Sequence, residues 1–321
     1  MQEVIGLRPP SLNTNFRNQC VLFLKPEATA LSDGVNVQGI IDIIACALED
    51  SHVVVGGVRI LNGAYLKNYN IMDAHYGVIN QISRLGIAAL SDDAKKRLAE
   101  QSGGEERLVF GGHQFLERFS DFSPFALNVL SDSVGTKKLG GGTYYIPARV
   151  GGEHMTLLNP FHPHQLCHFT TPNRAIIVLE CLTDTSWKDI RQDLIGATNP
   201  SVASVGSIRQ ILLQRQQELG MAEVSQGVNG VHLSAGPLEG MVEYQRFFSD
   251  HSNGKVIAYK NTLLGSELGK VGIPESAIAS FASNCMLTIN GRSLSSFDAT
   301  EELDTGAVVK MLSDLPIIKQ P

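Results

Sequence analysis

An alternation near the N-terminus constrains this chain most. Residues 20–24, "CVLFL", are a short apolar run that stops at Lys25-Pro26, and proline, which has no N–H for a ladder, ends a strand well. The following "VNVQGIIDIIACALEDS" carries Val37, Ile40, Ile41, Ile44, Ala45 and Leu48 at helical spacing and predicts an amphipathic helix. "HVVVGGVRIL" (52–61) is β-branched and predicts a second strand. "AYLKNYNIMDAHYG" (64–77) reads as helical again. Further on, "AIIVLECL" (175–182) is a third strand and "TSWKDIRQDLIG" a short helix. "VNGVHLS" (228–234) gives a brief fourth strand, followed by a last helix in "GMVEYQRFFSD". The order β-α-β, helix, β-α-β predicts an α+β fold: a ferredoxin-like βαββαβ core whose four-stranded antiparallel sheet has one face covered by helices.

The stretches between and beyond these elements behave differently. Residues 77–158 contain "SGGEERLVFGGHQF" and "KKLGGGTYYIPARVGGEH", and their glycine doublets and triplets predict a β-rich or loop-rich insertion around one lysine-rich helix, "SDDAKKRLAEQ". After residue 250, "PESAIASFAS" and "GAVVKMLSDL" predict helices and "CMLTING" a strand. The expected organisation is a core split into 1–76 and 159–250, an inserted subdomain at 77–158 and a C-terminal extension at 251–321.

Bulk properties narrow the function classes. The 321 residues are enough for one large or two ordinary domains. Charged residues make up 18%, below the ~25% of an average soluble protein, which points to much buried surface or to an oligomer. A net charge of −6 argues against general nucleic-acid or anionic-membrane binding. No stretch reaches the ~20 apolar residues of a membrane span, and "MQEVIGLRPPSLNTNF" lacks the pattern of a signal peptide. The five scattered cysteines, with no CxxC, fit free thiols in a reducing compartment. The expectation is a cytoplasmic protein without nucleic-acid or membrane partners.

The glycine-rich "QGVNGVHLSAGPLEG" (226–240) holds His232, with Asn229 three residues before it and Ser234 two after. Together with other pieces in order, it resembles nucleoside diphosphate kinase. "LKPEA" is similar to that family's strand ending in Lys-Pro-Asp, and "DAHYG" to its His-Tyr at a helix end. "NPFHPHQLCHFTTPNRAIIVLECL" runs without a gap against its Pro-Phe-Phe helix and the strand that follows. "GATNPSVASVGSIRQ" resembles its Gly-x-Thr-Asn-Pro segment with Gly-Thr-Ile-Arg after it, and "VNGVHLSAGPLEGMVEYQ" the stretch around its phosphorylated histidine. The resemblance covers roughly 20–76 and 159–250.

It implies that His232 accepts the γ-phosphoryl group of ATP and passes it to a nucleoside diphosphate, with Mg²⁺ on the phosphates. It puts Glu243 against the histidine's other ring nitrogen, with Ser234 beside the pair. Asn229 and Lys25 would meet the nucleotide's sugar hydroxyl, and Tyr76 would lie near the histidine and phosphates. Thr198, Arg209 and Arg191 would grip the phosphates, and Phe161 would stack on the base. A homo-oligomer is implied as well. The residue types suit the chemistry: a neutral imidazole is a competent nucleophile, and a phosphohistidine divides one hard transfer into two easier ones. A carboxylate on the second nitrogen fixes the tautomer, and cations stabilise phosphate charge.

Several positions depart from the family pattern. Leu233 stands where the family has glycine, which predicts bulk beside the nucleophile, and Ala235 stands where it has aspartate. Gln192 occupies the position of the first phosphate arginine, with Arg191 one residue earlier; a one-residue insertion in the turn would let Arg191 point inward. Glu27 replaces aspartate. These departures keep two other readings open: a nucleotide-binding or regulatory protein that no longer turns over, and a histidine phosphotransferase with a different acceptor. "HPHQLCH" offers His162, His164, Cys167 and His168, but only His164 and His168 share a helix face, so no metal site is expected. "GKVG" (269–272) and "LGGGTYY" (139–145) lack the spacing of phosphate loops and read as turns.

Overall fold

Strand β1 (Asn18–Leu24) is buried along its whole length in the computed structural model, which describes residues 16–101 and 108–315. A strand buried on both faces belongs inside a sheet. β1 pairs antiparallel with β3 (Ala175–Thr183) on one side and with β4 (Val231–Leu233) on the other. β2 (Val53–Asn62) completes the sheet by pairing antiparallel with β3, giving the order β2-β3-β1-β4. This sheet belongs to a compact unit formed by the described residues of Met1–Asn62 and Arg174–Pro321.

The two faces of the sheet follow from the period of two along each strand. Cys20, Leu22 and Leu24 of β1, Leu179 and Cys181 of β3, and Val231 and Leu233 of β4 point to one side. There they meet Ile40, Ile43, Ile44 and Leu48 of helix α1 (Val37–Asp50) and Ile208 and Leu212 of α2 (Ile208–Gln214). Asn36 caps α1 by accepting the Gly39 amide at 3.0 Å, and each isoleucine buried from water contributes ~1.5–3 kcal/mol.

The opposite face carries Gln19, Phe23, Glu180, Arg59 and His232, and helix α3 (Pro237–Phe248) lies over it. Both faces are therefore covered, where the strand and helix order predicted one. The cause is visible in α3: Glu243 and Phe247 serve the sheet side, whereas Leu238, Met241 and Val242 pack against Leu264, Leu268, Ile278, Phe281, Val308 and Leu312 of the C-terminal segment. That segment contains helices Leu263–Lys270, Glu275–Ala282 and Thr305–Ser313 and a hairpin of Met286–Ile289 with Arg292–Ser295. It shares a core with α3.

The second unit comprises the described residues of Gly63–Asn173. Its sheet orders Leu108–Gly111, Glu153–Leu158, Thr143–Val150 and Lys137–Gly140; the first pair is parallel and the others antiparallel. Beyond the lysine-rich helix Asp92–Gln101, it has helices over Gly77–Leu85, Gly112–Arg118 and Pro124–Val134, more helix than the glycine pattern predicted. The glycines at 111 and 112 permit close packing instead of breaking structure. A Cβ on Gly111 would lie 2.3 Å from the Ser83 carbonyl oxygen, and one on Gly112 2.8 Å from that of Asn159. The "LGGGTYY" stretch is the turn between two strands of this sheet. The whole is a mixed α+β protein with mainly antiparallel sheets, and among the described residues no helix is long and apolar enough to cross a membrane.

Candidate active site

The site is built on the polar face of the first unit. β4 presents His232 beside Phe23, its partner across the ladder. Gly236 is the N-cap of α3 and Pro237 its first residue, and its second turn brings in Glu243. The Nε2 atom of His232 lies 2.8 Å from Glu243 Oε1. The Ser234 hydroxyl donates to Glu243 Oε2 at 2.6 Å and accepts the Val21 amide at 3.0 Å. Glu243 is fully buried, whereas the His232 side chain keeps 20% exposure. The carboxylate thus has a partner on each oxygen, which a buried charge requires. With Nε2–H donated to Glu243, the imidazole lone pair is on Nδ1.

Cations surround the same loop. The Lys25 amide donates to Gly230 O at 2.8 Å, and its Nζ donates to Asn229 Oδ1 at 2.7 Å. Asn229 in turn donates to Thr198 O at 3.0 Å, so the Thr-Asn-Pro segment and the histidine loop are tied together. Burial lowers the Lys25 ammonium to about 8; Glu27 opposes this and Arg209 adds to it. Glu27 also accepts the Gly230 amide at 2.9 Å. Arg209 donates to Gly196 O at 2.8 Å and to Val231 O, next to the histidine, at 3.2 Å. Its Nε is buried and has no hydrogen bond among the described residues. Burial, and then the neighbouring Arg191, lower its guanidinium to about 10.

Arg191 reaches this loop through a local irregularity. Residues Ile190–Ile195 form a π-helical turn, a rare geometry that is frequent at functional sites. Arg191 Nη1 donates to Ala235 O at 3.0 Å and to Glu301 Oε1 at 2.6 Å, and its Nε lies 3.8 Å from Glu302 Oε1. Leu233 is a correction to the sequence expectation. It is buried in the apolar core on the opposite face of β4 from His232, because neighbouring residues of a strand point to opposite sides. Its bulk therefore does not stand beside the imidazole.

The first unit thus brings together His232, Glu243, Ser234, Lys25, Asn229, Thr198, Arg209 and Arg191. Tyr76 and Phe161 belong to the second unit. Tyr76 follows the short helix Ile71–His75 and meets His162 and Phe169 edgewise or tilted, with centroids at 6.0 and 5.8 Å. Phe161 precedes helix His162–Thr170 and meets Tyr144 at 5.7 Å. In that helix His162 is buried, within 3.1 Å of Gln165 Oε1 and 3.2 Å of Asn80 Oδ1, while His164 packs on Phe125.

Two kinds of participant escaped the sequence. Phe23 was absorbed into an apolar run, although its odd position opposite His232 marks it as a residue of the polar face. Glu301 and Glu302 are about seventy residues from the histidine in sequence, and nothing local signals their approach to Arg191.

No protein-family model matches this sequence, and no curated protein matches it. Among solved structures, a nucleoside diphosphate kinase from Encephalitozoon cuniculi in its apo form aligns at 13% identity over 76% of this chain and 96% of its own, with a TM-score of 0.36. An NDP kinase from Pyrobaculum aerophilum aligns at 15% identity over 73% of this chain and 97% of its own, with a TM-score of 0.34.

Proposed function

We propose that this chain is a phosphotransferase of the nucleoside diphosphate kinase type, with a ferredoxin-like core and a phosphohistidine at His232. The observation that carries this reading is the buried relay Ser234–Glu243–His232, set among Lys25, Arg209 and Arg191. A histidine needed only for packing has no use for a fully buried carboxylate and three cations around its loop.

In this reading the donor is ATP and the acceptor a nucleoside diphosphate. The Nδ1 lone pair attacks the γ-phosphorus, and the electron pair of the breaking bond leaves on the bridging oxygen with ADP. The Nε2 proton stays between the ring and Glu243. Arg209 and Arg191 stabilise charge on the transferring group, while Lys25 and Asn229 hold the sugar end. The second half reverses these steps onto the acceptor's terminal phosphate oxygen. Tyr76 and Phe161 are proposed for the phosphates and the base, as the sequence resemblance implies. The nearby carboxylates are already committed: Glu243 to His232 and Ser234, Glu239 to the Ala235 amide and Glu27 to the Gly230 amide. That donor set fits Mg²⁺ held by the nucleotide's phosphates and water, where it would neutralise phosphate charge.

One observation favours a second reading, a nucleotide-binding protein without turnover: Arg191 is engaged by Glu301. Incubation with γ-labelled ATP and Mg²⁺, followed by a chase with nucleoside diphosphates, separates the two. The expected result is acid-labile, base-stable label on the wild type that moves to diphosphates, and none on His232→Ala, which still binds ATP. Label persisting on His232→Ala would refute the assignment. Binding without label on the wild type would favour the second reading, and label that no diphosphate removes would point to another acceptor.

A further inference from the structure

Phe23 is fully buried, and its ring lies against the imidazole of His232 with centroids 4.5 Å apart and planes inclined by only 22°. The contact follows from register, because Phe23 and His232 are direct partners across β1 and β4. Phe247 also meets Phe23, with centroids 5.3 Å apart and planes inclined by 54°. Phe247 and Glu243 are four residues apart on α3 and therefore project from the same side of that helix. One helix thus sets a carboxylate at the edge of the imidazole and secures the aromatic plate lying under its face. These contacts fix the ring by an edge and by a face.

We propose that Phe23 is a positioning residue for phosphoryl transfer, whose ring face stabilises the positive charge that the His232 imidazole acquires when its N–P bond forms. The proposal rests on the reading of His232 as the phosphoryl carrier. The charge follows from the balance of the step. Nδ1 spends its lone pair on phosphorus and the leaving diphosphate takes the electrons of the broken P–O bond. The Nε2 proton remains on the ring, so the imidazole becomes cationic as the N–P bond forms and neutral again when the group departs. An aromatic face carries negative quadrupole charge and attracts a cation within ~6 Å of its centroid, most strongly where water is excluded. Glu243 stabilises the same charge from the edge. The plate and the carboxylate therefore act on the phosphorylated state more than on the resting one, which is the condition for lowering a barrier.

The test replaces Phe23 with phenylalanines bearing one, two and three ring fluorines, which keep the shape but drain charge from the face, and compares them with Phe23→Leu. The readout is the equilibrium constant for phosphoenzyme formation from ATP, with the KM for ATP measured alongside. Stepwise fluorination should lower that constant progressively. Phe23→Leu should lower it roughly threefold to thirtyfold, the range of a cation–π contact, with KM changed less than twofold. An equilibrium constant indifferent to fluorination in a labelled protein would overturn the proposal, even if Phe23→Leu were impaired or unfolded. A wild type that takes no label would instead refute the phosphohistidine reading itself.

Discussion

The two faces of the β2-β3-β1-β4 sheet are made from the same strands, residue by residue, yet they do different work. On the α1 side, Cys20, Leu22, Leu24, Leu179, Cys181, Val231 and Leu233 form a continuous apolar layer. On the α3 side, the alternate residues include Gln19, Arg59, Glu180 and His232, and each polar group needs a specific partner. Arg59 Nη1 donates to the carbonyls of Phe247 and Ser249 at 2.8 and 2.6 Å, which satisfies the C-terminal end of α3. Gln19 donates to Glu180 at 2.7 Å, while burial raises the Glu180 carboxyl above its ordinary value. One face gains stability from area removed from water. The other holds polar groups at fixed distances, at some cost in desolvation.

The sharpest way to break this division is to truncate one residue on each face. Leu22→Ala leaves a cavity in the apolar layer and should cost ~2–5 kcal/mol of unfolding free energy, measured by urea denaturation, with turnover per folded molecule nearly unchanged. Glu243→Gln keeps the volume but removes the charge that fixes the imidazole. It should lower kcat by ~100-fold or more with a smaller loss of stability. If both variants lost stability and turnover in parallel, the two faces would not be separable and the division of labour would be wrong.

The apolar face was the easier one to read from sequence. Its strands announce themselves as β-branched and aliphatic runs, and α1 shows its stripe at Val37, Ile40, Ile44 and Leu48, although Ile41, read as part of it, is exposed and Ile43 is buried instead. The polar face was legible only where residues came in a recognisable local order, as with Asn229, His232, Ser234 and Glu243. Phe23 looked like any other apolar strand residue, because its role depends on cross-strand register. The helices of the second unit were obscured by glycines that serve close packing at positions 111 and 112. Contacts such as Arg191 with Glu301 bridge 110 residues, and no periodicity encodes a partner at that range.

That last contact offers a milder way to probe the polar face. The Arg191–Glu301 pair is partly exposed, 26% and 46%, so its net worth to stability is below ~1 kcal/mol. Its effect on ligand affinity is predicted to be of the same modest size as its effect on folding. Glu301→Gln removes one of the two carboxylates beside Arg191, leaving Glu302 and the Ala235 carbonyl, and should tighten ATP binding about twofold to fivefold by calorimetry, given that a charge-assisted arginine–phosphate bond outweighs an exposed ion pair. In an Arg191→Ala background the same substitution should do nothing. Equal effects in both backgrounds would mean that Glu301 acts on the site without passing through Arg191.

The smallest predicted effect concerns Lys25, where the two kinds of energetics meet on one side chain. Its folded-state pKa, lowered to about 8 by burial, lies below the ~10.4 of a free lysine. Between these values the unfolded chain binds more protons than the folded one, so this group's contribution makes stability rise with pH. Function runs the other way. In the proposed reading, the ammonium that meets the nucleotide's sugar hydroxyl is present below about pH 8 and is progressively lost above it. A bound nucleotide, being anionic, should pull the lysine's pKa back up. ATP binding near pH 8.5 should therefore take up a fraction of a proton, seen as a dependence of the binding enthalpy on the buffer's heat of ionisation. Lys25→Met should abolish that uptake at pH 8.5 and bind more weakly below pH 8. Uptake that survived the substitution would assign the proton to another group and remove Lys25 from the nucleotide's charge field.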